Sequence, residues 1–100
     1  MGKDEAIEKL KAYKVLLKDY FDIYKIYLFG SYSRDTARED SDIDVAIIVN
    51  KLEGDYFSTV PIAWKLRREI DNRIEPLIIE KDNDPAGFQD EIIKYGVEII

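Results

Sequence analysis

The segment DIDVAIIV, Asp42 to Val49, is the feature that most restricts what this chain can fold into. Its last five residues are apolar and mostly β-branched, a composition typical of a strand that is covered on both faces of a sheet. Such a strand is expected to lie near the centre of its sheet. Two aspartates nevertheless stand where this buried strand begins, and their presence there needs a reason.

The rest of the chain alternates between helix and strand patterns. Apolar residues at three- and four-residue intervals, from Ile7 to Phe21, predict a first helix over 4–21. Aromatic and β-branched residues predict a strand over 24–29 that stops at Gly30. The remaining predicted elements are a short polar helix and loop over 31–41, a helix over 58–71, a strand over 73–80, a helix from 84 to 95 and a strand over 97–100.

Capping residues set the expected helix boundaries. Ser58 is expected to cap the second long helix, with Pro61 in the first turn, where its missing N–H matters little. Asp84 and Pro85 fit the N-cap and first position of the last helix, and Gly96 fits a left-handed position just after its end. Apolar contacts from the second long helix are expected from Ile62, Trp64, Leu66 and Ile70.

These elements predict an α/β or α+β fold, in which a small mixed sheet of three to four strands is flanked by helices. Pro76 removes a donor from the third strand, so that strand is expected at an edge of the sheet or at a bulge. A length of 100 residues, of which 46% are hydrophobic and 36% charged, fits one ordered domain over 1–100.

The composition excludes several kinds of site. The chain has no cysteine and no histidine, so disulfides, thiolate metal sites and imidazole catalysis are excluded, and any metal must be bound by oxygen ligands. A net charge of −6 argues against a general nucleic-acid binder, which depends on clustered Lys and Arg. The sequence contains no signal-peptide core and no apolar run long enough for a membrane span, so a cytoplasmic protein is expected.

The two aspartates have a chemical explanation. Side chains alternate along a strand, so Asp42 and Asp44 point to the same side, with α-carbons roughly 6.6 Å apart. A divalent cation such as Mg²⁺ would remove the repulsion between two adjacent carboxylates. Gly30 and Ser31, after the preceding strand, could hold a phosphate through backbone N–H groups and the hydroxyl. Glu75 is a candidate third carboxylate, as metal ligand or general base.

Each of these features also has a simpler interpretation when taken alone. A Gly-Ser pair after a strand is usually a turn, an aspartate at a strand start is often a turn former, and a glutamate such as Glu75 is often a surface residue. A calcium loop is excluded, because its sixth position would be Val45 instead of glycine and its twelfth Lys51 instead of glutamate. The prediction of a site therefore depends on the combination.

Gly30-Ser31, ten further residues and then Asp42-x-Asp44 resemble the GS-x10-D-x-D signature of the nucleotidyltransferase superfamily that includes DNA polymerase β. The length of the chain makes it similar to the minimal nucleotidyltransferase (MNT) family in particular. The likeness runs from the first helix through RIEPLIIE to the closing YGVEII. It implies the nucleotidyltransferase fold for nearly the whole chain.

The resemblance also implies an activity. An acceptor hydroxyl attacks the α-phosphate of a nucleoside triphosphate, assisted by two Mg²⁺ ions, and pyrophosphate leaves. Asp42 and Asp44 match the metal-binding pair of the family, and Glu75 matches its third acid. Gly30 and Ser31 match the triphosphate contacts, and Arg34 is retained from the family pattern Gly-Ser-Arg-Ala-Arg-Gly as a phosphate partner. The chain departs from that pattern at two positions, Tyr32 and Asp35.

The family resemblance finally implies a partner. Proteins of the MNT type are antitoxins that transfer AMP from ATP to a tyrosine of a helical HEPN toxin, and a catalytic module this short needs its acceptor supplied from outside. Two alternatives remain: a subunit that neutralises its partner by binding alone, and a subunit of a small-molecule nucleotidyltransferase of the aminoglycoside type. The sequence does not determine whether the chain forms hetero-oligomers or homo-oligomers.

Overall fold

The computed structural model describes residues 2–33, 37–38, 41–52 and 54–100. Across these ranges the structure has three helices and four strands, in the order that the sequence predicts apart from the short helix within 31–41. Their bounds are α1 Lys3–Leu17, β1 Ile23–Phe29, β2 Ile43–Val49, α2 Tyr56–Leu66 with a following 3₁₀ turn Arg67–Glu69, β3 Ile74–Glu80, α3 Phe88–Tyr95 and β4 Val97–Glu98. Within these described ranges, no helix is both long and apolar enough to cross a membrane. Within 31–41, where a short helix and loop were predicted, residues 31–33 form a turn and 37, 38 and 41 are in neither helix nor strand, while 34–36, 39 and 40 lie outside the described ranges.

The strands form one mixed sheet in the order β3-β2-β1-β4. The strand β2 pairs with β1 in antiparallel and with β3 in parallel orientation, and β4 pairs with β1 in antiparallel orientation. The DIDVAIIV strand is therefore internal, as predicted, and Pro76 lies on the edge strand β3, where a missing ladder donor is tolerated.

The two faces of the sheet are covered differently. On one face, Ile43, Val45 and Ile47 of β2 pack with α1 and α2 in the main core. On the other face, Ala46 and Ile48 form a smaller cluster that is covered by Ile92 of α3. Because side chains alternate along β2, Asp44 belongs to this second face, beyond the smaller cluster. The acidic end of β2 is thus on the face that the single short helix α3 covers only in part.

The helix α1 ends earlier than predicted. Its last helical residue is Leu17, and the carbonyl of Leu17 accepts the N–H of Phe21 at 2.9 Å in the turn that follows. Phe21 is buried in the main core from this turn. The helical spacing therefore predicted burial of Phe21 correctly but assigned it to the wrong element, since a helix and the turn after it can bury the same side of the chain.

The start of α2 also differs from the prediction. Asp55, not Ser58, is the N-cap. The carboxylate of Asp55 accepts two hydrogen bonds from Ser58, one from its N–H at 2.9 Å and one from its hydroxyl at 3.0 Å. Pro61 consequently lies inside the helix rather than in its first turn, on an exposed side. The helix ends at Leu66 rather than near residue 71. Trp64, from which an apolar contact was expected, is 37% exposed, whereas Ala63 is fully buried.

The last helix begins later than predicted. Asp84 stands three residues before the N-cap, Gly87, yet its carboxylate accepts the N–H groups of Phe88 at 3.2 Å and Gln89 at 2.8 Å. Gly96 at the other end is extended, with φ −83° and ψ 172°, and not left-handed. A Cβ there would lie 2.5 Å from the carbonyl oxygen of Ile92, so close packing is the reason for this glycine. The strand that follows has only two residues.

A charged network holds the chain just before β3. The carboxylate of Asp71 accepts hydrogen bonds from Lys9 Nζ of α1 at 2.6 Å and from Arg73, including its Nη2 at 2.7 Å. These bonds, first of all those from Arg73, hold the pKa of Asp71 well below its usual value of 3.8, although partial burial acts in the opposite direction. The network therefore ties α1 to the start of the strand that carries Glu75.

We expect the Asp71→Asn substitution to lower the free energy of unfolding by about 1–2 kcal/mol at neutral pH, because charge-assisted hydrogen bonds are lost. The folded-state pKa of Asp71 lies below its unfolded value, so this stabilisation is complete above about pH 5 and falls as the pH drops below about 4. Urea unfolding of parent and variant at several pH values measures the difference. The control is Asp82→Asn, which changes an exposed carboxylate. If the free energies of unfolding of the parent and the Asp71→Asn variant differed by the same amount at every pH between 2 and 7, the stabilising role assigned to the Asp71 carboxylate would be wrong.

Candidate active site

The acidic side chains predicted from the sequence come together at one end of the sheet. The pairing register places Asp44 of β2 opposite Phe29 on β1 and opposite Glu75 on β3. Asp42 stands just before β2 and is exposed, and its negative charge acts on Glu75. The three carboxylates therefore form one cluster beside the end of β1, where the glycine turn begins.

The electrostatics of this cluster follow from its composition. The pKa of the Glu75 carboxyl is raised, first by the loss of hydration next to protein atoms, then by the negative charges of Asp42 and Asp44 and by the hydrogen bond with Asp42. The charge of Arg67 acts in the opposite direction. Because Glu75 is itself exposed, water screens part of these effects. The charges of Asp42 and Asp44 nevertheless oppose the ionisation of Glu75, an effect that a bound cation would relieve.

The donor set fits a hard divalent cation. In the described part of the chain, no three or more acidic side chains are placed so that together they could hold one metal ion. Mg²⁺ does not need three protein carboxylates, since at nucleotide sites it commonly takes one or two and completes its shell with water and phosphate oxygens. Asp42, Asp44 and Glu75 supply oxygen ligands only, which is the chemistry that Mg²⁺ prefers.

The turn after β1 is built against the acidic cluster. Gly30 adopts φ 74°, a left-handed conformation that favours glycine. A Cβ on Gly30 would overlap the carboxylate of Asp44, so the backbone of the turn approaches this carboxylate more closely than any other residue type would allow. The Ser33 hydroxyl donates to the carbonyl of Gly30 at 2.9 Å and closes the turn, and Ser31 lies within it, half-buried. The predicted phosphate turn and the predicted metal ligands are thus neighbours.

Tyr32, one of the two departures from the family pattern, has a structural role. Its ring is only 1% exposed and belongs to the main core, and its hydroxyl donates to the carbonyl of Arg38 at 3.3 Å. The buried Tyr32 side chain therefore holds the turn against the main core. Arg34, predicted to contact phosphate, and Asp35, the second departure, lie outside the described residues.

Arg67 is a residue near the site that the sequence did not indicate. Its Nη1 donates to the carbonyls of Asn72 at 2.8 Å and Ile74 at 2.9 Å, and its guanidinium lies 4.6 Å from the ring centre of Trp64. Arg67 therefore fixes the first residue of β3, directly before Glu75. Its Nε is buried without a hydrogen-bond partner in the structure. No sequence motif predicts a role for this arginine, because its partners are the backbone carbonyls of Asn72 and Ile74, and only the tertiary fold brings them to it.

A cavity of about 680 Å³ opens beside the acidic cluster and was not predicted either. Gly30, Ser33 and Asp44 form one end of it, and the rest is lined mainly by apolar side chains of the sheet and of α3. The chain therefore places a phosphate-type turn, a carboxylate cluster and an apolar cavity next to one another.

A mixed sheet with helices and an acidic cluster beside a glycine-serine turn defines the nucleotidyltransferase class. The family described as "Polymerase beta, Nucleotidyltransferase" matches residues 8–100, and the chain belongs to this family. It is therefore an enzyme of the nucleotidyltransferase type, as the sequence predicts.

Individual relatives agree with this family. A Methanocaldococcus jannaschii protein, to which protein adenylyltransferase activity is ascribed, is 36% identical over 95% of this chain and 99% of its own length. A toxin–antitoxin crystal structure with AMP-PNP contains a chain with a TM-score of 0.68 and 27% identity, over 92% of this chain and 72% of that one. A Sulfolobus solfataricus crystal structure has the same fold, with a TM-score of 0.71 at 18% identity, over 96% of this chain and 80% of that one.

Proposed function

We propose that this nucleotidyltransferase transfers AMP from ATP to a hydroxyl group of a protein partner. The observation that carries the proposal is the register that pairs Asp44 with Glu75 while the Gly30 turn packs against Asp44. In the proposed reaction, the acceptor oxygen forms a bond to the α-phosphorus, the bond from that phosphorus to the β-phosphate oxygen breaks, and pyrophosphate leaves. The similarity to a protein ascribed adenylyltransferase activity and to a complex with AMP-PNP supports AMP as the transferred group.

In this proposal Asp42, Asp44 and Glu75 bind Mg²⁺, with two ions expected at the site. When bound, Mg²⁺ offsets the negative charge that builds up on the phosphate oxygens during transfer. Gly30 and Ser31 bind triphosphate oxygens through the turn, with Arg34 as a further phosphate contact. Glu75 acts as third ligand or, alternatively, as a base for the acceptor hydroxyl.

The proposed partner is a toxin of the helical HEPN type, and this chain is its antitoxin in the cytoplasm. A structural relative was crystallised as a toxin–antitoxin pair, which supports a toxin as acceptor. The exposed position of the acidic cluster also leaves it open to a large acceptor. Neutralisation by binding alone is the second candidate function, favoured by the two departures from the family pattern, Tyr32 and Asp35, in the segment proposed to contact phosphate.

The test combines the chain with the protein encoded by the neighbouring gene, ATP labelled on the α-phosphate, and Mg²⁺. The parent chain is expected to transfer label to the partner, and the Asp42→Asn variant to transfer far less. Chelation of Mg²⁺ is expected to stop transfer in both. An absence of label on the partner, with the Asp42→Asn variant neutralising the partner as well as the parent does, would exclude the transferase proposal and leave the binding-only function.

A further inference from the structure

The helix α3 turns a row of side chains toward the acidic cluster. Phe88, Ile92 and Tyr95 recur at four- and three-residue intervals, so they share one side of the helix. Ile92 is buried against the sheet, whereas Phe88 and Tyr95 are 51% and 60% exposed. The exposed rings of Phe88 and Tyr95 therefore lie on either side of Ile92, which packs α3 against the sheet. Both rings line the same cavity.

This cavity is continuous with the acidic cluster. Its lining joins Gly30, Ser33 and Asp44 to Phe29 and Leu77, which lie on the same face of the sheet as Asp44. A molecule that binds at the glycine turn and extends away from Asp44 along this face would lie between the sheet and the two rings of α3. The volume of about 680 Å³ is within the range of cavities that bind small ligands.

The charge of the cavity indicates which part of a nucleotide fits there. None of its described lining residues is basic, and Glu91 adds a second acid to Asp44. Away from the turn and Asp44, triphosphate oxygens would meet the carboxylate of Glu91 and no described cation, whereas a flat and uncharged ring would lose little on leaving water and would gain contacts with aromatic faces. The cavity is therefore suited to the base end of a nucleotide, with the phosphates at the turn.

We infer that this cavity is the nucleobase subsite of the enzyme, in which Phe88 and Tyr95 contact the base of the nucleoside triphosphate. The inference rests on the proposed function for the position of the triphosphate at the Gly30 turn. The two rings are specificity-determining residues for the nucleotide, since they distinguish a nucleoside triphosphate from an inorganic polyphosphate.

The experiment measures the dissociation constants of Mg·ATP and of Mg·tripolyphosphate by calorimetry for the full chain. In the Phe88→Ala/Tyr95→Ala double variant, the dissociation constant for ATP is expected to rise about tenfold or more, because ring contacts to the base are lost. The constant for tripolyphosphate, which has no base, is expected to stay unchanged. The control is Ile93→Ala on the same helix, which is 49% exposed and lies outside the described lining of the cavity; it should change neither constant.

A second measurement does not depend on the folding of a variant. The fluorescence of 2-aminopurine riboside triphosphate is expected to be quenched when it binds to the parent chain, since stacking on aromatic rings quenches this base. Inorganic tripolyphosphate in excess is expected to restore the emission by competition. Binding without quenching would overturn the inference.

Three results in the double variant would overturn the inference. The first is an unchanged affinity for ATP, and the second is an equal loss of affinity for ATP and for tripolyphosphate. The third is a raised KM for the protein acceptor with unchanged ATP binding, and this result would assign the cavity to the acceptor. The proposed function can fail separately. A parent chain that binds ATP through these rings but transfers no AMP would exclude the transfer proposal and leave the nucleobase subsite in place.

Discussion

Replacement of Asp44 by asparagine is expected to lower the rate of nucleotidyl transfer by about a thousandfold or more, because the site would lose a proposed charged ligand for Mg²⁺ worth several kcal/mol in the transition state. Asp44 is the acid that the structure places between the other elements of the site, opposite Glu75 on β3 and in contact with the Gly30 turn. Radiolabel transfer to the partner at saturating ATP measures the effect.

The same substitution is not expected to destabilise the fold. Asparagine has almost the same shape as aspartate, and removal of the negative charge of Asp44 takes away one of the effects that, after the loss of hydration, raise the pKa of Glu75. We therefore expect the Asp44→Asn variant to unfold at the same temperature as the parent or slightly higher. A loss of activity together with a retained or raised Tm is typical of an acid kept for function rather than for stability.

Two controls separate catalysis from charge and from binding. Asp19→Asn removes one exposed carboxylate on the turn after α1 and should leave the transfer rate unchanged. Co-purification of the Asp44→Asn variant with its partner tests whether the complex still forms. If this variant neutralised the partner as fully as the parent does, neutralisation would depend on contact alone, and the transferase proposal would be wrong for this chain.

The sequence predicted the placement of Asp42 and Asp44 in the fold because the relevant signals are local. A continuous apolar run predicted that β2 is internal, and its alternation placed Asp42 and Asp44 on one side. Pro76 predicted an edge strand for the same kind of reason. Glu75 was a weaker candidate on its local pattern, because only the parallel pairing of β3 with β2, set by a crossover through α2, brings it beside Asp44.

The predictions failed where several residues could perform the same local function. Asp55 and Ser58 are both good N-caps three residues apart, and the sequence pattern selected the wrong one. Asp84 does satisfy the first N–H groups of α3, but from a turn rather than from the N-cap position. Gly96 is required by a close approach to Ile92, which no local pattern encodes.

The cavity and Arg67 were missed for a different reason. Each is formed by segments that are distant in sequence: the cavity joins the turn after β1 to α3, and Arg67 after α2 donates to carbonyls before and within β3. No pattern in the sequence predicts what the exposed rings of Phe88 and Tyr95 contact. Their proposed role follows only from the position of α3 over the face of the sheet that carries Asp44.

The Gly30→Ala substitution is the second change with a large expected effect, and it acts through the backbone. Alanine at φ 74° is strained, which should lower the free energy of unfolding by roughly 1–2 kcal/mol. The added Cβ would also overlap the carboxylate of Asp44, so either this side chain or the turn must move. A displacement on the order of 1 Å within a catalytic site can cost about a hundredfold in rate, and we expect a loss of that size in AMP transfer.

Gly54→Ala is the matched control for this prediction. Gly54 also has a left-handed conformation, with φ 89°, but a Cβ there would meet nothing within 4 Å. The two variants should therefore lose a similar amount of stability in urea unfolding, while only Gly30→Ala loses transfer activity when both are assayed at a temperature at which they are folded. Equal rates in the two variants would mean that the contact between the turn and Asp44 is unimportant for transfer, and that Gly30 is kept only for its conformation.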